Sequence, residues 1–201
     1  MKLKQIVFTA LCMILSTTAW SQTSFGVRTG VNFASAQFVT DGVKLSSTTK
    51  AGLNIGVFAN FALKDRLSLQ PELSFSQMGT KLEDIDEESQ TLNYISLPVM
   101  AKYAINNWGI FAGPQLSFLT SAKAKYEGET ESISEYYKST DFSLVFGTDY
   151  SISKKLFVGA RYQLGVTNIG VEPKDEYEYE YDQPTNKMRN RNFTLSIGYN
   201  F

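Results

Sequence analysis

The 201-residue chain has no histidine and a single cysteine, Cys12. Without imidazole there is no histidine base, and Ser-His and Cys-His nucleophile pairs are excluded, as are most zinc and haem sites. One cysteine makes no disulfide framework within the chain. Charge is sparse at 19% of residues, and 19 Lys and Arg stand against 20 Asp and Glu. That near balance offers nucleic acid no electrostatic attraction, so it is not an expected partner. No segment approaches 18 uninterrupted apolar residues, which excludes a membrane-spanning helix. What the chain has in quantity is aromatic: 14 Phe and 11 Tyr.

Residues 1–21, MKLKQIVFTALCMILSTTAWS, have the form of a secretory signal peptide. Lys2 and Lys4 give a positive start, an apolar run of about ten residues follows from Ile6, and small residues flank Trp20 at the cleavage site. Cys12 lies inside the apolar run without a lipobox and leaves with the signal. The exported chain, 22–201, then carries 17 basic and 20 acidic residues and no cysteine.

The remainder alternates strictly, the period of a strand with one apolar face. Phe25, Val27, Val31 and Phe33 oppose Gly26, Arg28, Gly30 and Asn32. Leu53, Ile55 and Val57 oppose Gly52, Asn54 and Gly56, and only Phe58 breaks that small polar face. The same holds for Leu67 to Phe75, Ile95 to Tyr103, Phe142 to Tyr150, Leu156 to Leu164 and Phe193 to Phe201. It holds less cleanly between Trp108 and Phe118. Eight runs of about 9–12 residues each have the length of a tilted transmembrane strand.

The connections carry more weight than the alternation. Links after the second, fourth and sixth runs are short (63–66, 104–107, 151–154), and the others span about 13–25 residues. An even strand number with short turns at one end and long loops at the other predicts an all-β fold. It is an eight-stranded antiparallel up-and-down transmembrane β-barrel with periplasmic turns and extracellular loops. Closure is required because an open sheet edge in lipid leaves backbone groups unpaired. A soluble lipocalin-like barrel would want a polar opposite face, where this chain has mostly Gly and Ser. Tyr103, Trp108, Tyr150, Tyr162, Tyr199 and Phe201 are expected near the periplasmic interface as an aromatic girdle.

Several stretches resemble the PorT-like, porin-family outer-membrane β-barrel domain: GVRTGVNFA (26–34), QPELSFSQMG (70–79), ISLPVMAKY (95–103), GIFAGPQLSFL (109–119), GARYQLGVTNI (159–169) and RNRNFTLSIGYNF (189–201). The resemblance implies an outer-membrane location, no catalytic residues and no cofactor. Tyr199 and Phe201 resemble the carboxy-terminal aromatic signal read by the barrel assembly machinery, which that likeness makes a partner during biogenesis; outer-membrane lipid is the other.

Five charges fall on the inward face: Arg28, Glu72, Lys102, Asp149 and Arg161. Isolated charges in a narrow barrel are costly, so these are expected to pair. They form a network that plugs the lumen, a constriction that selects ions by charge, or a proton relay. The loops are acidic. Glu83, Asp84, Asp86, Glu87 and Glu88 lie in one, and DEYEYEYD (175–182) in another places Tyr177, Tyr179 and Tyr181 on one face if extended, an expected hairpin above the membrane. A second such hairpin is expected around Gly128. These loops are solvated surfaces, sites for calcium or magnesium bridging to lipid headgroups, or a surface for an extracellular protein. No resident metal is expected. The leading expectation is a non-enzymatic anchor and scaffold displaying acidic, Tyr-rich loops; the alternative is a narrow passive channel for ions or small solutes.

Overall fold

A computed structural model describes residues 23–40, 43–46, 48–81, 89–126, 128–171 and 187–201, nearly all of them β-strand. The expected signal peptide and the acidic segments 83–88 and 175–182 lie outside the described residues. Ten strands follow in order: β1 (Thr23–Thr40), β2 (Val43–Ser46), β3 (Thr48–Lys64), β4 (Leu67–Lys81), β5 (Ser89–Ile105), β6 (Trp108–Tyr126), β7 (Glu129–Ser132), β8 (Thr140–Ser151), β9 (Leu156–Gly165) and β10 (Lys187–Asn200). Neighbours pair antiparallel in the order β10-β9-β8-β6-β5-β4-β3-β1, and β1 pairs β10 from Gly26↔Asn200 to Val39↔Lys187, which closes the barrel at eight strands. β2 and β7 are short return strands on β1 and β6 at the loop end.

The alternation sorts side chains between lipid and lumen. Val31, Leu53, Ile55, Leu73, Ile110, Leu144, Leu195 and Ile197 are exposed on the outside, while Arg28, Asn32, Glu72, Ser96, Ser143 and Thr194 are buried inside. The outer apolar run covers nine residues on β1 (25–33), β4 (67–75), β5 (95–103), β8 (142–150), β9 (156–164) and β10 (193–201). At about 3.3 Å per residue and a tilt near 40°, nine residues give about 23 Å of height, close to the roughly 25 Å apolar band of an outer-membrane barrel.

Two of the three periplasmic turns are tighter than expected, and the third, 152–155, keeps four residues. Asp65-Arg66 joins β3 to β4 and Asn106-Asn107 joins β5 to β6. Asp65 (φ 49°) and Asn106 (φ 53°) adopt the left-handed conformation such turns use, which Asp and Asn tolerate better than other side chains with a Cβ.

At the other end, β1, β3, β5 and β6 run for 17–19 residues. The apolar pattern marks only the lipid-facing part of a strand; above it the ladders continue with polar residues on the outer face. The first two long links therefore shrink to 41–47 and 82–88. The hairpin around Gly128 (φ 88°) forms between β6 and β7. β9 stops at Gly165, and residues 166–171 continue irregularly between Phe142 and the segment before β8 on one side and β10 on the other; Ile169 is fully buried and its N–H donates to Met188 O. The hairpin expected over 175–182 lies outside the described residues.

Tyr162 corrects one expectation. β9 rises from the periplasmic turn, and six residues at about 3.3 Å each carry Tyr162 to the upper part of the apolar band. There it registers with Phe193 and Phe146, its ring 5.5 Å from that of Phe146. Trp108 and Tyr150, 4.9 Å apart, do lie at the short-turn end, as do Tyr199 and Phe201 at 5.7 Å.

Candidate functional site

The lumen is filled by three layers of side chains that the strands bring together from distant parts of the sequence. The lowest is a charge knot. Arg28 Nη1 and Nη2 donate to the two Asp149 carboxylate oxygens, each at 3.1 Å. Arg161 Nη1 and Nη2 donate to Glu72 Oε1 and Oε2 at 3.0 and 2.9 Å. Both pairs are bidentate, the geometry that suits guanidinium to carboxylate. Arg28 Nε lies 3.8 Å from Glu72 Oε2 and joins the two pairs into one. Lys102 Nζ donates to Asp149 Oδ2 at 2.7 Å. The five charges expected to face inward thus meet in one knot, three cations against two carboxylates; Asp141, also buried in the lumen, lies higher, under the mouth.

Aromatic rings surround the knot. Arg28 Cζ lies 5.0 Å from the ring centre of Phe157, 5.8 Å from Phe111 and 5.9 Å from Phe58, and Arg161 Cζ is 5.7 Å from Phe111. These ring faces offset part of the excess positive charge in a site without bulk water. Phe58 and Phe157 also pack edge-on at 5.8 Å across the barrel. Glycines make the room. A Cβ at Gly26 would stand 2.3 Å from Phe58 Cζ, and one at Gly198 2.1 Å from Phe157 Cζ. Met100, Phe111 and Val145 form an apolar cluster beside the charges.

Above the knot lies a neutral polar layer. Asn32 Nδ2 donates to Ser76 Oγ at 2.8 Å, and Asn32 Oδ1 accepts from Thr194 Oγ1 at 2.7 Å and Asn192 Nδ2 at 3.0 Å. Ser96, Gln115 and Ser117 bond to one another across β5 and β6. Small residues with hydroxyl and amide tips close this section without charge.

The extracellular mouth carries an apolar cap. Ala34, Met78, Leu92, Tyr94 and Ala122 are buried to 2% exposure or less, with Leu119, Ile133 and Tyr137 packed on them. Ile133 and Tyr137 come from the segment after β7, folded back over the mouth. Tyr137 OH donates to Gln90 Oε1 at 2.7 Å, Lys138 N–H to Ile169 O at 2.8 Å, and Tyr137 bridges Gly170. Burial pushes the Tyr137 phenol up from its ordinary value. Beneath the cap, Asp141 accepts from Asn190 Nδ2 at 2.9 Å and Thr167 Oγ1 at 2.8 Å.

The five charges of the knot were readable as inward residues; the buried Asp141, just before Phe142 in sequence, and the layers around the knot were not. Phe58, Phe111 and Met100 stand out in the sequence as large apolar residues on an otherwise small or polar face. That signal shows where bulk enters the lumen but not what it touches. The loop acids Glu83, Asp84, Asp86, Glu87 and Glu88, and Tyr177, Tyr179 and Tyr181, lie outside the described residues. Tyr199 faces lipid between Val27 and Leu156, and Phe201 is 73% exposed, its N–H donating to Phe25 O.

A closed eight-stranded barrel with a lipid-facing apolar band and a polar interior defines an outer-membrane β-barrel protein. Residues 20–170 match the outer membrane protein beta-barrel domain, and the chain belongs to that family. Among solved structures, Neisserial surface protein A (NspA) is similar at 14% identity, with a TM-score of 0.55 over 90% of this chain and 100% of that one. Ail, the attachment invasion locus protein of Yersinia pestis, is 16% identical, with a TM-score of 0.48 over 90% of this chain and 99% of that one. OprG of Pseudomonas aeruginosa is 14% identical, with a TM-score of 0.43 over 89% and 95%. No curated protein matches the chain.

Proposed function

We propose that this protein is a non-conducting, non-enzymatic outer-membrane anchor that displays its extracellular loops for interaction. The observation that carries the reading is the lumen, occupied at every level. A charge knot ringed by phenylalanines lies at the bottom, bonded amides and hydroxyls in the middle, and an apolar cap closed by Ile133 and Tyr137 at the top. A pore would have to break the Arg28–Asp149 and Arg161–Glu72 pairs and also displace the cap. The extracellular acidic segments, rich in Tyr over 175–182, are then the interacting surface, with a protein as the partner. The PorT-like resemblance supports this reading as a likeness of strands rather than of role.

One observation favours the channel alternative. Asn54 Oδ1, Gln70 Nε2, Ser143 Oγ, Gln163 Nε2 and Asn192 Oδ1 are buried polar atoms without a protein partner, and all belong to inward-facing residues. Such atoms are satisfied by internal water, and a continuous file of it would conduct. Single-channel recording of the refolded protein (22–201) in a planar bilayer separates the two. The anchor reading expects a folded, silent barrel. Stable openings of a defined size, altered by Glu72→Ala, would replace it with the channel.

A further inference from the structure

We infer that the outer face of β10 just above the lipid band, Lys187, Arg189 and Arg191, is a binding site for the phosphate groups of outer-leaflet lipid. The argument begins with where the apolar band stops. Around the barrel its upper edge is marked by Phe33, Ala51, Phe75, Ile95, Phe118, Phe142, Leu164 and Phe193. The next outward residue on each strand is Ser35, Thr49, Gln77, Asn93, Thr120 and Thr140 on β1, β3, β4, β5, β6 and β8, then Val166 past the end of β9. Seven strands thus cross the boundary with a neutral residue. β10 alone crosses it with a charge, Arg191, and keeps the same sign two and four residues higher with Arg189 and Lys187.

Alternate residues of a strand share a face about 6.6 Å apart, so the three cations form a stripe about 13 Å long. It continues the line of Phe193, Leu195 and Ile197 below it. Phe33 and Phe193, 6.5 Å apart, form an aromatic floor at its foot.

Among the described residues, none of the three cations has a carboxylate within 4.0 Å. Arg191 is held flat against the wall by neutral acceptors: Gly165 O at 2.8 Å, Asn190 O at 3.2 Å and Gln37 Oε1 at 2.8 Å. The Arg189 Nε hydrogen is buried without a partner. Asp141 faces the lumen and is hydrogen-bonded by Asn190 and Thr167; it acts on Arg191 only through space, without a direct ion pair.

A positioned guanidinium with no carboxylate in direct contact among the described residues, next to a row of lipid-facing rings, suits a ligand with an anion at one end and hydrocarbon at the other. Phosphate is the planar fork's natural partner. The rings below assign that phosphate to a lipid rather than to a free anion, because acyl chains then lie along Phe193 and Leu195.

The test uses the folded protein in nanodiscs of phosphatidylcholine doped with diphosphorylated lipid A or with its dephosphorylated form. Retained glycolipid is counted by native mass spectrometry. The variants are Lys187→Gln/Arg189→Gln/Arg191→Gln and, as a control at the opposite membrane face, Lys154→Gln/Lys155→Gln. Folding of each is checked by heat-modifiable gel mobility. Each cation near an anionic surface contributes about fivefold, so the triple variant is expected to bind the diphosphorylated lipid at least tenfold more weakly. The control variant and the dephosphorylated lipid with either protein are expected to show no such difference. Arg191→Lys is expected to recover charge but not the fork, and to bind between wild type and Arg191→Gln. Equal retention by wild type and triple variant would overturn the inference. So would displacement of the lipid from wild type by inorganic phosphate at the same concentration, which would make the stripe a site for free anions.

Discussion

Replacing Glu72 by Gln tests the charge knot most directly. Glu72 is buried, accepts both terminal nitrogens of Arg161, and lies 3.8 Å from Arg28 Nε. The substitution keeps the shape of the side chain and removes its charge. Arg28 and Lys102 keep Asp149, but Arg161 is left buried with no carboxylate partner. The local balance changes from three cations against two carboxylates to three against one. Removing one member of a buried pair costs about 3–5 kcal/mol, mostly the uncompensated charge left behind. Phe111, 5.7 Å from Arg161 Cζ, faces the guanidinium with and without the carboxylate, so that contact cancels in the difference. A loss of about 3–5 kcal/mol is expected. Arg161→Met should cost less, because it leaves two cations facing two carboxylates and fills the space with an apolar side chain. The double variant Glu72→Gln/Arg161→Met should be more stable than Glu72→Gln alone, since the stranded guanidinium is gone. Urea unfolding of the 22–201 chain from lipid vesicles measures all four, with Trp108 as the fluorescent reporter in its contact with Tyr150. If Glu72→Gln lies within about 1 kcal/mol of wild type, or the double variant loses the sum of the two singles, the knot is not an energetically coupled unit and the reasoning fails.

Other outcomes follow from the same packing. Gly198→Ala places a Cβ 2.1 Å from Phe157 Cζ, so it should cost about 1–3 kcal/mol by overpacking in the same urea assay, and Gly198→Ala/Phe157→Leu should recover part of the loss. Leu195→Lys puts a charge on the lipid face and should cost about 2–4 kcal/mol, whereas an equal tolerance of Lys there would mean the facing is inverted. Tyr137→Phe removes the bond to Gln90 and should lower cap stability by about 1 kcal/mol, read as faster proteolysis within 128–139 with no change in the midpoint for the whole barrel. The raised phenol of Tyr137 contributes stability that is complete below the ordinary phenol value near 10 and is lost as pH rises through its higher folded value. Cleavage of the cap should therefore accelerate above about pH 10 in wild type and less steeply in Tyr137→Phe, where Tyr94 remains the buried phenol of the cap.

Much of this architecture is local and was legible in the amino-acid order. Period-2 alternation assigns Val31 to lipid and Arg28 to the lumen whatever the partner strand is, because successive side chains point to opposite faces. Short links at Asp65-Arg66 and Asn106-Asn107 set the antiparallel order, and eight strands in lipid must close. Exclusion of histidine chemistry follows from composition alone. Tertiary structure decided what cannot be local. Arg28 and Asp149 are 121 positions apart and Glu72 and Arg161 are 89 apart; which carboxylate each arginine takes depends on strand stagger around the closed barrel. Strand ends were misjudged because hydrophobicity marks the membrane, whereas backbone pairing continues through polar residues such as those of β6 above Phe118. The apolar cap was hidden for the same reason: Ile133, Tyr137 and Ile169 lie in loop sequence with no period, and only the folded mouth shows what they cover. The sequence alone therefore determined the barrel and its orientation, since those follow from side-chain period and link length. The folded barrel decided that its interior is packed and capped, because that depends on contacts made only when all eight strands meet.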